Sequence, residues 1–168
     1  MLFPPLSINF DAIMIELHGI RKSFGTLEVL KGIDLNIEKG EVVSIVGPSG
    51  AGKTTLISAI AGLNRLTSGT IRIMGCDVQS QAHQARMNLG LVPQELVYDP
   101  FFNVREVLRI QSGYFGLRRN DDWIDEMLHR LGLGDKADTN LRHLSGGMKR
   151  RVMVVQALVH RPPVIILD

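Results

Sequence analysis

Three stretches of the chain alternate between apolar and polar residues: Met14–Ile20 (M-I-E-L-H-G-I), Ile33–Ile37 (I-D-L-N-I) and Thr70–Met74 (T-I-R-I-M). Each predicts a strand with one wet face, and together they predict an antiparallel sheet. Three other runs, Val42–Val46, Leu89–Val92 and Val164–Leu167, are apolar without alternation. These predict buried strands of a parallel sheet, the second stopped by Pro93. Helical spacing joins Leu56, Ile57, Ile60, Ala61 and Leu63, and residues 82–88 predict a short helix. From Asn103 to His160 helices dominate. Val104, Val107, Leu108, Gln111 and Phe115 share one face; Ile124, Met127, Leu128 and Leu131 share another, with Asn120 or Asp121 as cap and Gly132 and Gly134 as stop. Trp123 is expected to pack on that second helix. A last helix, capped by Ser145 and apolar nearly all round to about Leu158, is expected to be buried, and Pro162-Pro163 ends it.

Between the run at Val42–Val46 and the first helix lies G-P-S-G-A-G-K-T-T, Gly47 to Thr55. It fits G-x-x-x-x-G-K-[ST], and strand, glycine-rich turn and helix are the context that gives this spacing meaning. Nucleotide phosphates concentrate negative charge, and main-chain N–H groups turned into one concavity are neutral donors suited to it. Gly47, Gly50 and Gly52 let the chain turn that way, and the helix beginning near Lys53 adds unpaired N–H groups and its positive end. Pro48, Ser49 and Ala51 complete the loop. Lys53 is expected to reach the β- and γ-phosphates, and Thr54 to ligate Mg²⁺. Two further positions fit the same chemistry. Gln94 follows a strand at its carboxyl end, the edge where open α/β sheets bind ligands, although a lone glutamine in a loop is usually only a surface polar group. Asp168 ends an apolar strand, placed to hold Mg²⁺. Ser145-Gly146-Gly147 opens a helix and offers a second anion site, although many helices begin in this way.

The chain has 168 residues, 45% of them hydrophobic, enough for a sizeable core and most simply one domain. Its net charge of +2 predicts no general attraction to nucleic acid or acidic membrane. The clusters Lys149-Arg150-Arg151 and Arg118-Arg119 read as solvated helix ends or turns. A single cysteine, Cys76, excludes an internal disulfide and supplies no metal cluster. No apolar run approaches the roughly 20 residues needed to span a bilayer. Residues 1–13, with Pro4 and Pro5 and no basic leader, are expected to be a loosely ordered extension, with Met14 opening the folded domain.

G-P-S-G-A-G-K-T-T, V-P-Q at 92–94, L-S-G-G-M at 144–148 and V-I-I-L-D at 164–168 stand in a fixed order. Together they resemble the nucleotide-binding subunit of ABC transporters from Met14 to Asp168. L-S-G-G-M-K-R-R with G-L-V-P-Q-E looks most like the multidrug and antibiotic exporters, the type-2 branch. The resemblance implies an α/β phosphate-loop NTPase core, a parallel sheet with an antiparallel β subdomain, over 14–94. A helical subdomain over 95–160 and an acidic strand over 161–168 would follow. It implies that Phe24 stacks on adenine, where the family often has Tyr, and that Gly47 to Thr55 wrap the phosphates of ATP, Thr55 near the α-phosphate. Gln94 would contact Mg²⁺ and the attacking water and link to the membrane subunit. Leu144, Ser145, Gly146, Gly147 and Met148 would form the signature that clamps ATP of the opposite subunit in a head-to-tail dimer. Asp168 would be the Mg²⁺ acid, so Lys53, Gln94 and Asp168 would carry catalysis. Partners would be a paired ATP-binding subunit and a separate transmembrane permease, placing the protein at the inner face of the plasma membrane.

Met148 replaces the commoner signature Gln, and Gln156 stands where Arg is more usual. In the family the glutamate base follows the strand acid, and a histidine sensing the γ-phosphate comes later; the 168 residues stop before both. The resemblance therefore leads us to expect a partial domain, its C-terminal part missing, from a truncated product or fragment, poorly stable by itself because strand edges stay unpaired. An ATP-binding remnant without turnover is the alternative to a transport ATPase. A kinase or GTPase is disfavoured by L-S-G-G-M and the lack of N-K-x-D, and soluble ABC proteins of translation or repair by the lack of paired domains.

Overall fold

The computed structural model describes residues 13–168. The extension expected over 1–13 therefore lies, up to residue 12, outside the described residues, and Ile13 already belongs to a strand. The chain divides after Asn88 into two compact units.

In the first unit the order is β1 (Ile13–Phe24), β2 (Leu27–Glu38), α1 (Lys53–Ile60), β3 (Ser68–Ile73), β4 (Cys76–Asp77) and α2 (Ala82–Met87). The strands form one antiparallel sheet in the order β2-β1-β3-β4, as the alternating patterns predict. Leu17 stands opposite Leu35 on one side and Ile71 on the other, so the apolar positions of three strands share a face. Leu17, Ile20, Ile71 and Ile73 are fully buried there, and α1 packs against β2 and β3. β1 runs on through Phe24, which pairs with Leu27, leaving a two-residue hairpin at Gly25-Thr26. A second tight hairpin joins Ile73 to Cys76 through Met74 and Gly75, both at positive φ (51° and 76°), the twist that suits paired strands.

The apolar run at Val42–Val46 departs from its pattern. Residues 41–48 form neither strand nor helix, and Val42 and Val46 are 94% and 91% exposed. An unbroken apolar run calls for burial, but a strand exists only when a neighbour takes its main-chain hydrogen bonds. Among the described residues no strand pairs with this one.

In the second unit the order is β5 (Leu89–Val92), α3 (Val104–Tyr114), α4 (Asp121–Arg130), two 3₁₀ turns (Gly134–Lys136 and Leu141–His143), α5 (Gly146–Leu158) and β6 (Val164–Leu167). β5 and β6 are parallel, Leu89 opposite Val164 and Val92 opposite Leu167. α5 lies close to β5 because of Gly90. A Cβ there would stand 2.4 Å from the Ala157 oxygen and 2.9 Å from Pro162 Cγ. The core joins α3 (Val104, Leu108), α4 (Ile124, Leu128) and α5 (Val152, Val155), all essentially inaccessible to water. α3 opens with a reciprocal cap: Glu106 N donates to Asn103 Oδ1 and Asn103 N to Glu106 Oε2, each at 2.8 Å.

Asn120 stands at the start of α4, where a cap was expected, but its side chain does not cap. Asn120 Nδ2 instead donates to Ser112 Oγ at 3.0 Å and to the Val159 oxygen at 2.8 Å, tying three helices together. Trp123 packs as expected, and its indole N–H donates to the Leu158 oxygen at 3.0 Å.

His160, just past α5, stacks on Phe115 with ring centroids 3.6 Å apart. Nε2 donates to the Leu89 oxygen at 3.1 Å, while Nδ1 is buried without a partner. Burial holds its pKa below the ordinary 6.5, only partly offset by the bond to Leu89. The folded state thus binds the proton more weakly than the unfolded one. Stability is full above pH 6.5, declines as pH falls toward the lowered folded value, and then levels. We predict that unfolding followed by Trp123 fluorescence shows a lower Tm at about pH 5.5 than at about pH 7.5, and that His160→Gln flattens this slope. Equal slopes in parent and variant would show that His160 does not carry the effect.

Candidate nucleotide-binding site

The phosphate loop of the first unit is built around one main-chain reversal. Gly52 adopts φ +86° as it caps α1, and Gly50 adopts φ +80°. Such values strain any residue with a Cβ. At Gly52 space forbids one as well: a Cβ would stand 3.0 Å from Val29 Cγ1 and 3.1 Å from Leu30 Cδ2, on β2. The reversal and the wall behind it aim the start of α1 outward. No side chain caps α1 and no acid stands in its first turn, so its N-terminal end keeps its positive field. Behind it, Leu56, Ile57 and Ile60 are buried and fix the helix.

Ala51 N donates to the Pro48 oxygen at 3.2 Å and closes a turn inside the loop. Lys53 arches back over it, with Nζ donating to the Gly47 oxygen at 2.7 Å and the Pro48 oxygen at 2.8 Å. Those are neutral acceptors, and a phosphate oxygen carrying charge is a stronger one for an ammonium. Gly47, Pro48, Ser49, Gly50, Ala51 and Thr54 are exposed, and Thr55 is half-buried. Phe24 is half exposed at the tip of the β1–β2 hairpin, the strand pair that also backs Gly52. Lys22 Nζ lies 4.6 Å over its ring and donates to the Arg65 oxygen at 2.7 Å.

The second unit holds the other expected residues. Ser145 caps α5, its Oγ accepting from Met148 N at 3.3 Å. Leu144 is buried in the helical core and Met148 packs on it from the edge. Gly146 and Gly147 are exposed; a Cβ on Gly147 would meet open space, and one on Gly146 would touch only Leu96 Cδ1 at 3.9 Å. Gln94 and Asp168 leave the same carboxyl edge of the parallel pair, and Asp168 N donates to the Val92 oxygen at 3.0 Å.

Sequence reasoning missed the role of the basic cluster at Lys149–Arg151, read as a solvated helix end. Arg150 is partly buried and donates to main-chain oxygens of Pro93, Gln94 and Asp168; Arg151 Nη1 donates to the Leu131 oxygen at 2.8 Å; Lys149 Nζ lies 4.1 Å over the Tyr98 ring. Nothing in the linear pattern marks this, because all their partners lie remote in sequence. Arg118 and Arg119 are exposed, as expected of a turn.

Comparison with known proteins identifies the family. The family described as ABC transporter matches residues 30–168. Among curated proteins, Nod factor export ATP-binding protein I of Cupriavidus metallidurans is 38% identical over 157 residues, covering 92% of this chain and 52% of that protein. Lipoprotein-releasing system ATP-binding protein LolD of Bacteroides thetaiotaomicron is 43% identical over 162 residues, covering 92% of this chain and 74% of that protein. The chain thus spans about half the length of the Nod factor export relatives it matches. Among solved structures, an ATP-binding subunit of an ABC transporter superposes with a TM-score of 0.85 at 27% identity, covering 92% of this chain and 65% of the other. A structure of cbiO1 from Clostridium perfringens, part of the ABC transporter complex cbiONQ, gives 0.79 at 28% identity, covering 94% and 66%. With its phosphate loop, its helical core and a family match over most of its length, the chain belongs to the ABC transporter family as an ATP-binding domain of mixed α/β fold.

Proposed function

We propose that this domain binds ATP with Mg²⁺ and is part of a subunit that couples ATP hydrolysis to export through a membrane permease. The observation that carries the proposal is the start of α1, held open behind the left-handed Gly52 with Lys53 across the loop. In this reading Gly47 to Thr55 wrap the phosphates and Phe24 offers its free face to the base. As metal donors this reading assigns, by resemblance to the family, the Thr54 hydroxyl in the first unit and, in the second, the Gln94 amide and the Asp168 carboxylate, all hard oxygens of the kind Mg²⁺ takes. Among the described residues no three His, Cys, Asp or Glu side chains gather into a metal site. A Mg²⁺ ion bound with the ATP would supply charge neutralisation at the β- and γ-phosphates. Lys53 adds positive charge there, and Gln94 orients water. Leu144 to Met148 present the α5 N-terminus to the ATP of a second subunit in a head-to-tail pair.

Similarity to Nod factor export and lipoprotein-releasing proteins supports outward movement of cargo without naming it. The multidrug and antibiotic branch suggested by L-S-G-G-M-K-R-R is the narrower form of this proposal. No helix among the described residues is long and apolar enough to cross a membrane. By resemblance to its family, the domain works at the cytoplasmic face of a separate permease. In the second unit a groove of about 280 Å³ lies just past Gln94, lined by Tyr98, Phe102, Ile110 and Tyr114 among others. Tyr114, 78% exposed, makes its rim a fitting landing surface for the permease.

Two outcomes are expected. In equilibrium dialysis the chain binds ATP, Lys53→Met weakens that binding roughly tenfold or more, and Gly52→Ala weakens it further by straining the cap. A parent that fails to bind ATP, or a Lys53→Met that binds equally, contradicts the proposal. With the permease co-expressed, Ile110→Glu reduces co-purification while ATP affinity stays within about twofold. Retained co-purification rules the groove out as the docking surface.

A further inference from the structure

The two parallel strands end on a single guanidinium. Arg150, in the second turn of α5, donates from Nη1 to the Pro93 oxygen and to the Gln94 oxygen at 3.3 Å, and from Nη2 to the Asp168 main-chain oxygen at 2.9 Å. Pro93 and Gln94 are the first residues past β5, and Asp168 is the first past β6. One planar fork thus holds both strand ends from one side, a task a flexible ammonium performs less well. The preceding residue adds a second grip on the same segment, Lys149 Nζ lying 4.1 Å over the Tyr98 ring. Gln94 itself is exposed, and these contacts to its own carbonyl and to its neighbours fix the main chain from which its side chain extends.

We propose that Arg150 is a positioning residue that sets where Gln94 and Asp168 stand relative to the Gly146-Gly147 start of α5. A displacement of α5 then moves the oxygen donors at the strand ends, and a displacement of the 93–98 segment moves the α5 N-terminus. The functional consequence rests on the reading that Gln94 and Asp168 serve Mg²⁺ bound with ATP; the mechanical connection rests on the hydrogen bonds alone. Arg150 touches neither nucleotide nor metal in this account.

The test compares the parent chain with Arg150→Ala and Arg150→Lys by two measurements: amide hydrogen exchange across residues 94–98, and the Mg²⁺ concentration that half-saturates the Mg²⁺-dependent part of ATP binding. For Arg150→Ala, exchange across 94–98 should quicken roughly tenfold and the Mg²⁺ requirement rise about fivefold, while ATP affinity in EDTA stays within about twofold. Arg150→Lys should fall between parent and Ala, since a single ammonium cannot span both strand ends. Unchanged exchange overturns the proposal. So does faster exchange with an unchanged Mg²⁺ requirement, which would reduce Arg150 to a structural strap. If Arg150→Ala does not fold, Arg150→Lys decides by the same criteria. A parent that binds no ATP, with or without Mg²⁺, sinks the nucleotide reading instead, and the exchange comparison still decides whether Arg150 holds the strand ends.

Discussion

At Gly52 the main chain passes through a left-handed conformation with a valine and a leucine of β2 pressed behind it. The proposed chemistry of the first unit depends on that reversal. It ends an irregular, exposed loop and starts a helix in consecutive residues, so the loop leads directly into the uncapped N-terminal end of α1. α1 is only eight residues long and would be marginal by itself. It persists because one face is buried against the antiparallel sheet. The sheet thus serves the site twice, as the surface that holds α1 and as the wall that admits only glycine at its cap. Phe24 extends from the same strand pair, so the surface offered to a base and the cradle offered to phosphates rest on one framework.

In the second unit α5 has the corresponding position. Its first turn is open, serine-capped and glycine-faced; its second turn carries Arg150; its later turns are buried against α3, α4 and β5. A single element therefore presents the proposed anion-binding N-terminus at one end and closes the core at the other. Gly90 permits the close approach, and His160 and Asn120 secure the far end with hydrogen bonds to main-chain oxygens. Such an arrangement transmits displacement rather than absorbing it, because close-packed interiors yield little.

Much of this was legible in the sequence where physics is local. Alternation at Met14–Ile20, Ile33–Ile37 and Thr70–Met74 predicts strands that the sheet contains, and helical spacing at Val104–Phe115 and Ile124–Leu131 predicts α3 and α4. Ser145 caps as its residue type and position require. The Asn103–Glu106 box was equally readable, since Asn three residues before Glu at the start of an apolar helical pattern is a cap signature. Other features were hidden because they depend on distant partners. Val42–Val46 has the composition of a buried strand, but composition does not supply a neighbouring strand. Asn120 has the chemistry of a cap, and the competing acceptors on Ser112 and Val159 take its amide. Arg150 looks like any basic residue near a helix start, and its three acceptors lie at least 18 positions away in the sequence.

The most direct test of the central claim asks whether the loop itself, independent of any base, is a phosphate cradle. Main-chain amide resonances would be followed as inorganic tripolyphosphate is added in the presence of Mg²⁺. The account predicts saturable shifts concentrated at Gly50, Ala51, Gly52, Lys53, Thr54 and Thr55, abolished when ATP already fills the site. Shifts spread evenly over surface lysines and arginines, or none at these six residues, would contradict it.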